Sequence, residues 1–148
     1  MNMVIFMNNV SIGNSGEYFV AGELERRGLT AAVPMSNTKD FDILAINRNN
    51  NKQFAVQVKT TTKKNWLLGK KCEDLCGDNI VYVLVKLVGL EAPEYHIVPS
   101  CIISERIKKS HQEWLNKLGR NGEKHNDNDM RVFADENDEY LGRWDLFE

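Results

Sequence analysis

Cysteine is scarce in this chain and unpatterned. Cys72, Cys76 and Cys101 form an odd set with no CxxC pair, so neither a zinc site nor a disulfide framework is expected, and the thiols read as buried or incidental. Long apolar runs are also missing: nothing approaches the ~20 residues of a membrane span. Met1 to Val10 has a short apolar patch but no basic start and no small-residue cleavage site, so a signal peptide is not expected and a cytoplasmic location is. Of the three histidines, His96 falls in a strand-like segment and His111 and His125 at surface-like positions, in no catalytic arrangement. No Ser or Cys has an evident base partner. Internal repeats are absent.

What the chain does have is enough apolar sequence for a core. At 148 residues and 42% hydrophobic, 1–148 suits one globular domain. The net charge of −2 does not advertise a partner, but its distribution is uneven. Residues 1–122 hold 16 Lys and Arg against 12 Asp and Glu, whereas 123–148 hold 3 against 9. Phosphate binding depends on local positive charge, so the acidic tail does not disqualify the mildly basic remainder.

The most informative stretch runs from Phe41 to Thr60. Two apolar segments, 41–46 and 54–59, flank the polar run 47–52. Side chains on a strand alternate faces. A hairpin centred between Asn49 and Asn50 sets Asp42 opposite Gln57 and Asp40 opposite Lys59, and opposed residues have Cβ atoms about 4.5–5.5 Å apart. The other parity, Phe41, Ile43, Phe54, Val56 and Val58, is wholly apolar and belongs to a core. A half-exposed hairpin with an ordinary Asp–Lys pair accounts for the same pattern, so spacing alone leaves both readings open.

Asp42-Ile43-Leu44-Ala45 followed by Gln57-Val58-Lys59-Thr60 resembles the signature of the PD-(D/E)XK nuclease superfamily, which includes restriction endonucleases and archaeal Holliday-junction resolvases. The run from Gly16-Glu17 to Gly28 is similar to its first helix, which often carries a Glu. Phe41 stands where that family has its name-giving Pro, and Gln57 where Asp or Glu is usual. The resemblance covers about residues 13–100 and implies an α/β fold with a central mixed sheet flanked by helices, in the order α-β-β-β-α-β, with a C-terminal helix and tail over 100–148.

The rest of the chain is compatible with that order. A helix is predicted from about Ser15 to Arg27, with Glu17, Val20, Ala21 and Leu24 on one face. Residues 1–13 read as a short strand or lead-in. Glu17 at the start of that stripe is explained equally by a capping box with Asn14 or by reaching the hairpin face. Thr30 to Pro34 reads as a strand and Ser36 to Thr38 as a turn. A short helix is predicted near Leu67 to Cys76, a strand buried on both faces over Ile80 to Val88, and a last strand at Glu94 to Val98. A helix then runs to about Leu118, burying Ile103, Ile107, Trp114 and Leu118. Arg120 to Asp129 is a polar loop, after which the aromatic tail is expected to pack back on the domain.

Hydrolysis of a phosphodiester needs charge neutralisation and an activated water. Mg2+ or Mn2+ takes oxygen ligands, one or two of them carboxylates. The resemblance implies Asp42 as main ligand, the Gln57 amide and Val58 carbonyl beside it, and Lys59 holding the attacking water. Glu17 and Asp40 are supporting candidates. Lys63, Lys64, Lys70 and Lys71, with Trp66 among them, form a basic and aromatic edge for nucleic acid, DNA in the first instance; the bland alternative is solvated lysines around a core Trp. Cutting both strands would most simply employ a two-fold homodimer. No membrane partner is implied. The competing reading makes Gln57 the mark of a decayed metal site, in a module that binds nucleic acid or protein without cleavage.

Overall fold

Alternation of apolar and polar residues through 43–61 builds a hairpin, and that hairpin is the middle of a five-stranded sheet. The computed structural model describes residues 7–35 and 40–148. Its strands are β1 (Leu29–Ala32), β2 (Ile43–Asn47), β3 (Gln53–Thr61), β4 (Trp66–Gly69), β5 (Ile80–Lys86), β6 (Glu94–Pro99) and β7 (Met130–Phe133); its helices are α1 (Asn9–Arg26) and α2 (Ser100–Asn116). The main sheet has the order β1-β2-β3-β5-β6, with β4 and β7 forming a small second sheet. Only β3 and β5 run parallel, and the rest of the main sheet is antiparallel. This is the mixed α/β class expected from the sequence.

The near-continuous apolar run of β5 divides by parity between two cores. Val81, Val83 and Val85 face α1, packing with Val20, Leu24 and Ile43. Tyr82 and Leu84 face the other way, toward Ile103 and Ile107 of α2 and the small sheet. The aromatic tail returns as expected: Phe133 lies in the second core, while Phe147 fills the first edge-on to Phe54, ring centroids 5.1 Å apart.

Several boundaries differ from expectation. Helix α1 begins at Asn9, and Asn8 caps it by accepting from the Ser11 N–H at 2.8 Å. Asn14 and Glu17 are therefore interior helix residues, and the capping-box account of Glu17 falls. The Asn- and Ser-rich start is weak in helix propensity, and packing on the sheet overrides that. The predicted turn at 36–38 lies outside the described residues. The segment expected as a helix near Leu67 is β4 followed by a 3-10 turn over Lys70–Glu73, because β7 supplies β4 with a partner from far along the chain. Helix α2 stops at Asn116, leaving Leu118 64% exposed.

The cysteine expectation is corrected most sharply. Cys76 and Cys101 are joined in a disulfide, and Cys72 is a buried free thiol. The loop after the 3-10 turn reaches the start of α2, where the Ser100 hydroxyl donates to the Gly77 carbonyl and accepts from its N–H. A pairing made by tertiary approach, across a separation of 25 residues, leaves no local spacing signal.

Candidate active site

The hairpin register is the expected one: Ile43 pairs with Val56 and Ala45 with Phe54. The ladder ends at Ile43, so Asp42 is not held as a simple cross-strand partner of Gln57. Its N–H donates to the Val56 carbonyl at 2.9 Å, although Val56 is the partner of Ile43. Two residues thus face one, as in a bulge, and such irregularities re-aim side chains. Here the result is that Asp42 Oδ2 accepts from the Val58 N–H at 2.8 Å. The carboxylate takes the place the next rung would have filled.

The same geometry sets the direction of the Val58 carbonyl. On a strand a residue's N–H and C=O point toward the same neighbour. Since Val58 N–H turns toward Asp42, its C=O faces the side where β2 has ended. Gln57 is pinned by the same segment, its amide nitrogen donating to the Asp40 carbonyl at 2.6 Å. Gln57 Oε1 has no hydrogen bond among the described residues. Asp40 meets the site through its backbone, and the expected pairing of Asp40 with Lys59 does not form.

Glu17 arrives from α1. Its carboxyl is raised above the ordinary range, first by burial and then by the negative charge of Asp42, with Lys59 pulling the other way. Glu17, Asp42 and Lys59 therefore share one electrostatic neighbourhood. Two carboxylates that repel each other beside one lysine, with an amide oxygen and a backbone carbonyl at hand, form a donor set that suits a hard divalent cation.

No protein-family model matches the chain, and no curated protein matches it in sequence. Among solved structures, the chain is similar to a bacterial homing endonuclease, at 13% identity and TM-score 0.49, over 66% of this chain and 69% of that one. It is also similar to Hjc, a Holliday junction resolvase from the archaeal hyperthermophile Archaeoglobus fulgidus, at 14% identity and TM-score 0.49, over 83% of this chain and 84% of that one.

The basic edge divides. Lys63, Lys64, Lys70 and Lys71 are all exposed. Trp66 is not: it is 2% exposed, and its indole N–H donates to the Val85 carbonyl at 3.0 Å. It anchors the second core and has no free face on which to stack a base, so its place in a nucleic-acid edge is withdrawn.

Two residues beside the site escaped the sequence reading. Tyr82 is the β5 partner of Gln57 and is fully buried. Burial, then the neighbouring Cys72 and the charge of Asp42, hold its phenol proton on. Gly16, next to Glu17, packs directly on Thr60 of β3. Nothing in the sequence sets Gly16 apart from Gly13 and Gly22 of the same helix, at neither of which a Cβ would meet anything within 4 Å.

Proposed function

We propose that the chain is a metal-dependent nuclease that hydrolyses phosphodiester bonds of DNA, built as one nuclease-fold unit. The observation that carries this reading is the Asp42 carboxylate, held on the Val58 N–H where β2 ends and electrostatically coupled to Glu17 and Lys59. A divalent cation, Mg2+ or Mn2+, would be held by Asp42, Gln57 Oε1 and the Val58 carbonyl, where it would supply charge neutralisation for the phosphate and acidify a bound water.

The chain's own groups do the rest. Lys59 leaves β3 on the same face as Gln57 and places its ammonium to orient the attacking water and offset developing negative charge. Glu17, protonated more readily than an ordinary carboxyl, is suited to hold that water or a second ion as the local charge changes. The exposed lysines after β3 and on the 3-10 turn fit phosphates flanking the cut. A second copy of the chain would provide the second cut in a duplex.

The test is cleavage of linear, branched and single-stranded DNA, and of RNA, with Mg2+ or Mn2+. Cutting that Asp42→Ala and Lys59→Ala each reduce by at least about a hundredfold supports the assignment. Metal-indifferent binding without cutting overturns it in favour of a non-catalytic module.

A further inference from the structure

A second cluster of donors lies apart from the hairpin, where the tail crosses β6. His96 is 3% exposed and shares its Nδ1 with Asp135 Oδ2 at 2.7 Å. The other ring nitrogen, Nε2, has no hydrogen bond among the described residues; the nearest carboxylate, Glu94, stands 3.9 Å off. Asp138 brings a further carboxylate, and one donor atom from each of His96, Asp135 and Asp138 lies within 4.8 Å of the others. A cavity of about 120 Å³ opens here, lined by these three residues with Asn65, Glu94 and Trp66. Asn65 Oδ1 is buried with no hydrogen-bond partner among the described residues.

Three features point to a cation. His96 Nδ1 and Asp135 Oδ2 stand 2.7 Å apart on the wall of one cavity, a spacing that two donors sharing one ion can take, and a donor oxygen of Asp138 lies within 4.8 Å of the donors of both residues. An orphaned amide oxygen costs on the order of 1–3 kcal/mol unless something occupies it. The cavity wall carries four carboxylates, Glu94, Asp135, Glu136 and Asp138, against two lysines, Lys64 and Lys86. That excess matches one divalent ion.

We infer that His96, Asp135, Asp138 and Asn65 form a second divalent-metal site that clasps the C-terminal tail onto β6. The mixed nitrogen and oxygen donors favour Mn2+ or Zn2+ over Mg2+, which prefers oxygen alone. The segment it would lock is already docked: Ile97 N–H donates to the Tyr140 carbonyl and Gly142 N–H to that of Tyr95. Asp135 begins the turn by accepting from the N–H groups of Glu139 and Tyr140. A bound ion would hold that turn against His96 and so stabilise the tail, independently of any chemistry at the hairpin.

The experiment is calorimetric titration of Mn2+ into the full-length wild type, Asp42→Ala, Asp138→Asn and the double variant, with and without excess Mg2+. Asp138 is exposed and has φ 50°, a conformation Asn adopts readily, so this change preserves the fold. The expected result is two ions in the wild type. One remains in Asp42→Ala, is not displaced by Mg2+, and binds at least about tenfold more weakly when Asp138→Asn is added. One ion in the wild type and none in Asp42→Ala overturns the clasp and leaves the hairpin site standing. One ion that survives Asp42→Ala but is lost with Asp138→Asn keeps the clasp and removes the metal from the hairpin reading. A retained ion indifferent to Asp138→Asn, or no ion in the wild type, overturns the clasp. Paramagnetic broadening of the His96 ring resonances by substoichiometric Mn2+ is expected in Asp42→Ala; its absence counts against the site without any change to the clasp itself.

Discussion

Gly16 lies against Thr60 so closely that a Cβ on Gly16 would fall 1.8 Å from the Thr60 hydroxyl oxygen. No side chain fits there, so the glycine sets how near α1 comes to β3, and hence where Glu17 stands relative to Asp42 and Lys59. Gly16→Ala is expected to push the helix outward. Overpacking of this kind costs about 1–3 kcal/mol, seen as a lowered Tm. Mn2+ affinity at the hairpin should fall as well, because Glu17 moves. Thr60→Ala in the same chain removes the hydroxyl and should restore part of both. Restored stability without restored affinity would separate Glu17 from the ion.

The raised carboxyl of Glu17 has a consequence whose sign depends on pH. A group whose pKa is higher folded than unfolded stabilises the fold while protonated, and that contribution is lost as pH rises through the folded value. In metal-free buffer at neutral pH the charged Glu17 is therefore a burden. Glu17→Gln is expected to raise Tm by about 1–2 °C there, the scale of a few tenths of a kcal/mol once solvent screening of this partly exposed side chain is counted. The difference should shrink as pH falls toward the ordinary value of 4.5. Added Mn2+ should reverse the order near pH 7, stabilising the wild type more. Thermal melts across pH, with and without metal, check both halves.

Why the hairpin could be read in advance, and the rest less so, follows from the range of the interactions involved. Alternation through 41–60 is local, and a one-residue slip would have turned Ile43 and Val56 out of the core, so the register was strongly specified. The position of Glu17 was legible as a helical stripe, but its partner was not, because the Gly16–Thr60 contact joins segments 44 residues apart in number. Trp66 looked like part of a basic edge because its neighbours are lysines; only the approach of Val85 shows it to be core. Strand β4 has no meaning without β7, and Cys76 none without Cys101. The His96 cluster was equally hidden, since Asp135 and Asp138 arrive on the returning tail.

The disulfide offers a direct stability test. Cys76–Cys101 closes a loop across 25 residues, for which the chain-entropy estimate is about 3.5 kcal/mol. Cys101→Ser is therefore expected to lower denaturant stability by about 2–4 kcal/mol, and a reducing agent should lower the wild type by a similar amount. The variant should be insensitive to reductant. The Asp42 face lies on other elements, so Mn2+ binding by the folded variant should be unchanged.

Gln57 is where this site departs most from a carboxylate-rich metal centre. Its amide nitrogen donates to the Asp40 carbonyl, and that bond directs Oε1 away from Asp40. Gln57→Glu replaces the donor with a second charged oxygen. Two effects then oppose each other. Without metal, the donor to Asp40 is lost and a third carboxylate joins Glu17 and Asp42, so stability should fall by about 1–2 kcal/mol at neutral pH. With metal, one more negative oxygen faces the ion, and Mn2+ affinity should rise by about tenfold, equivalent to 1.4 kcal/mol. The pair of measurements distinguishes the two readings of this residue. Tighter binding accompanied by faster DNA cleavage means that Gln57 tunes a working site. Tighter binding that creates cleavage where the wild type has none means that the glutamine had disabled it. Unchanged affinity would show that position 57 does not face the ion, and the ligand set would reduce to Asp42, the Val58 carbonyl and Glu17.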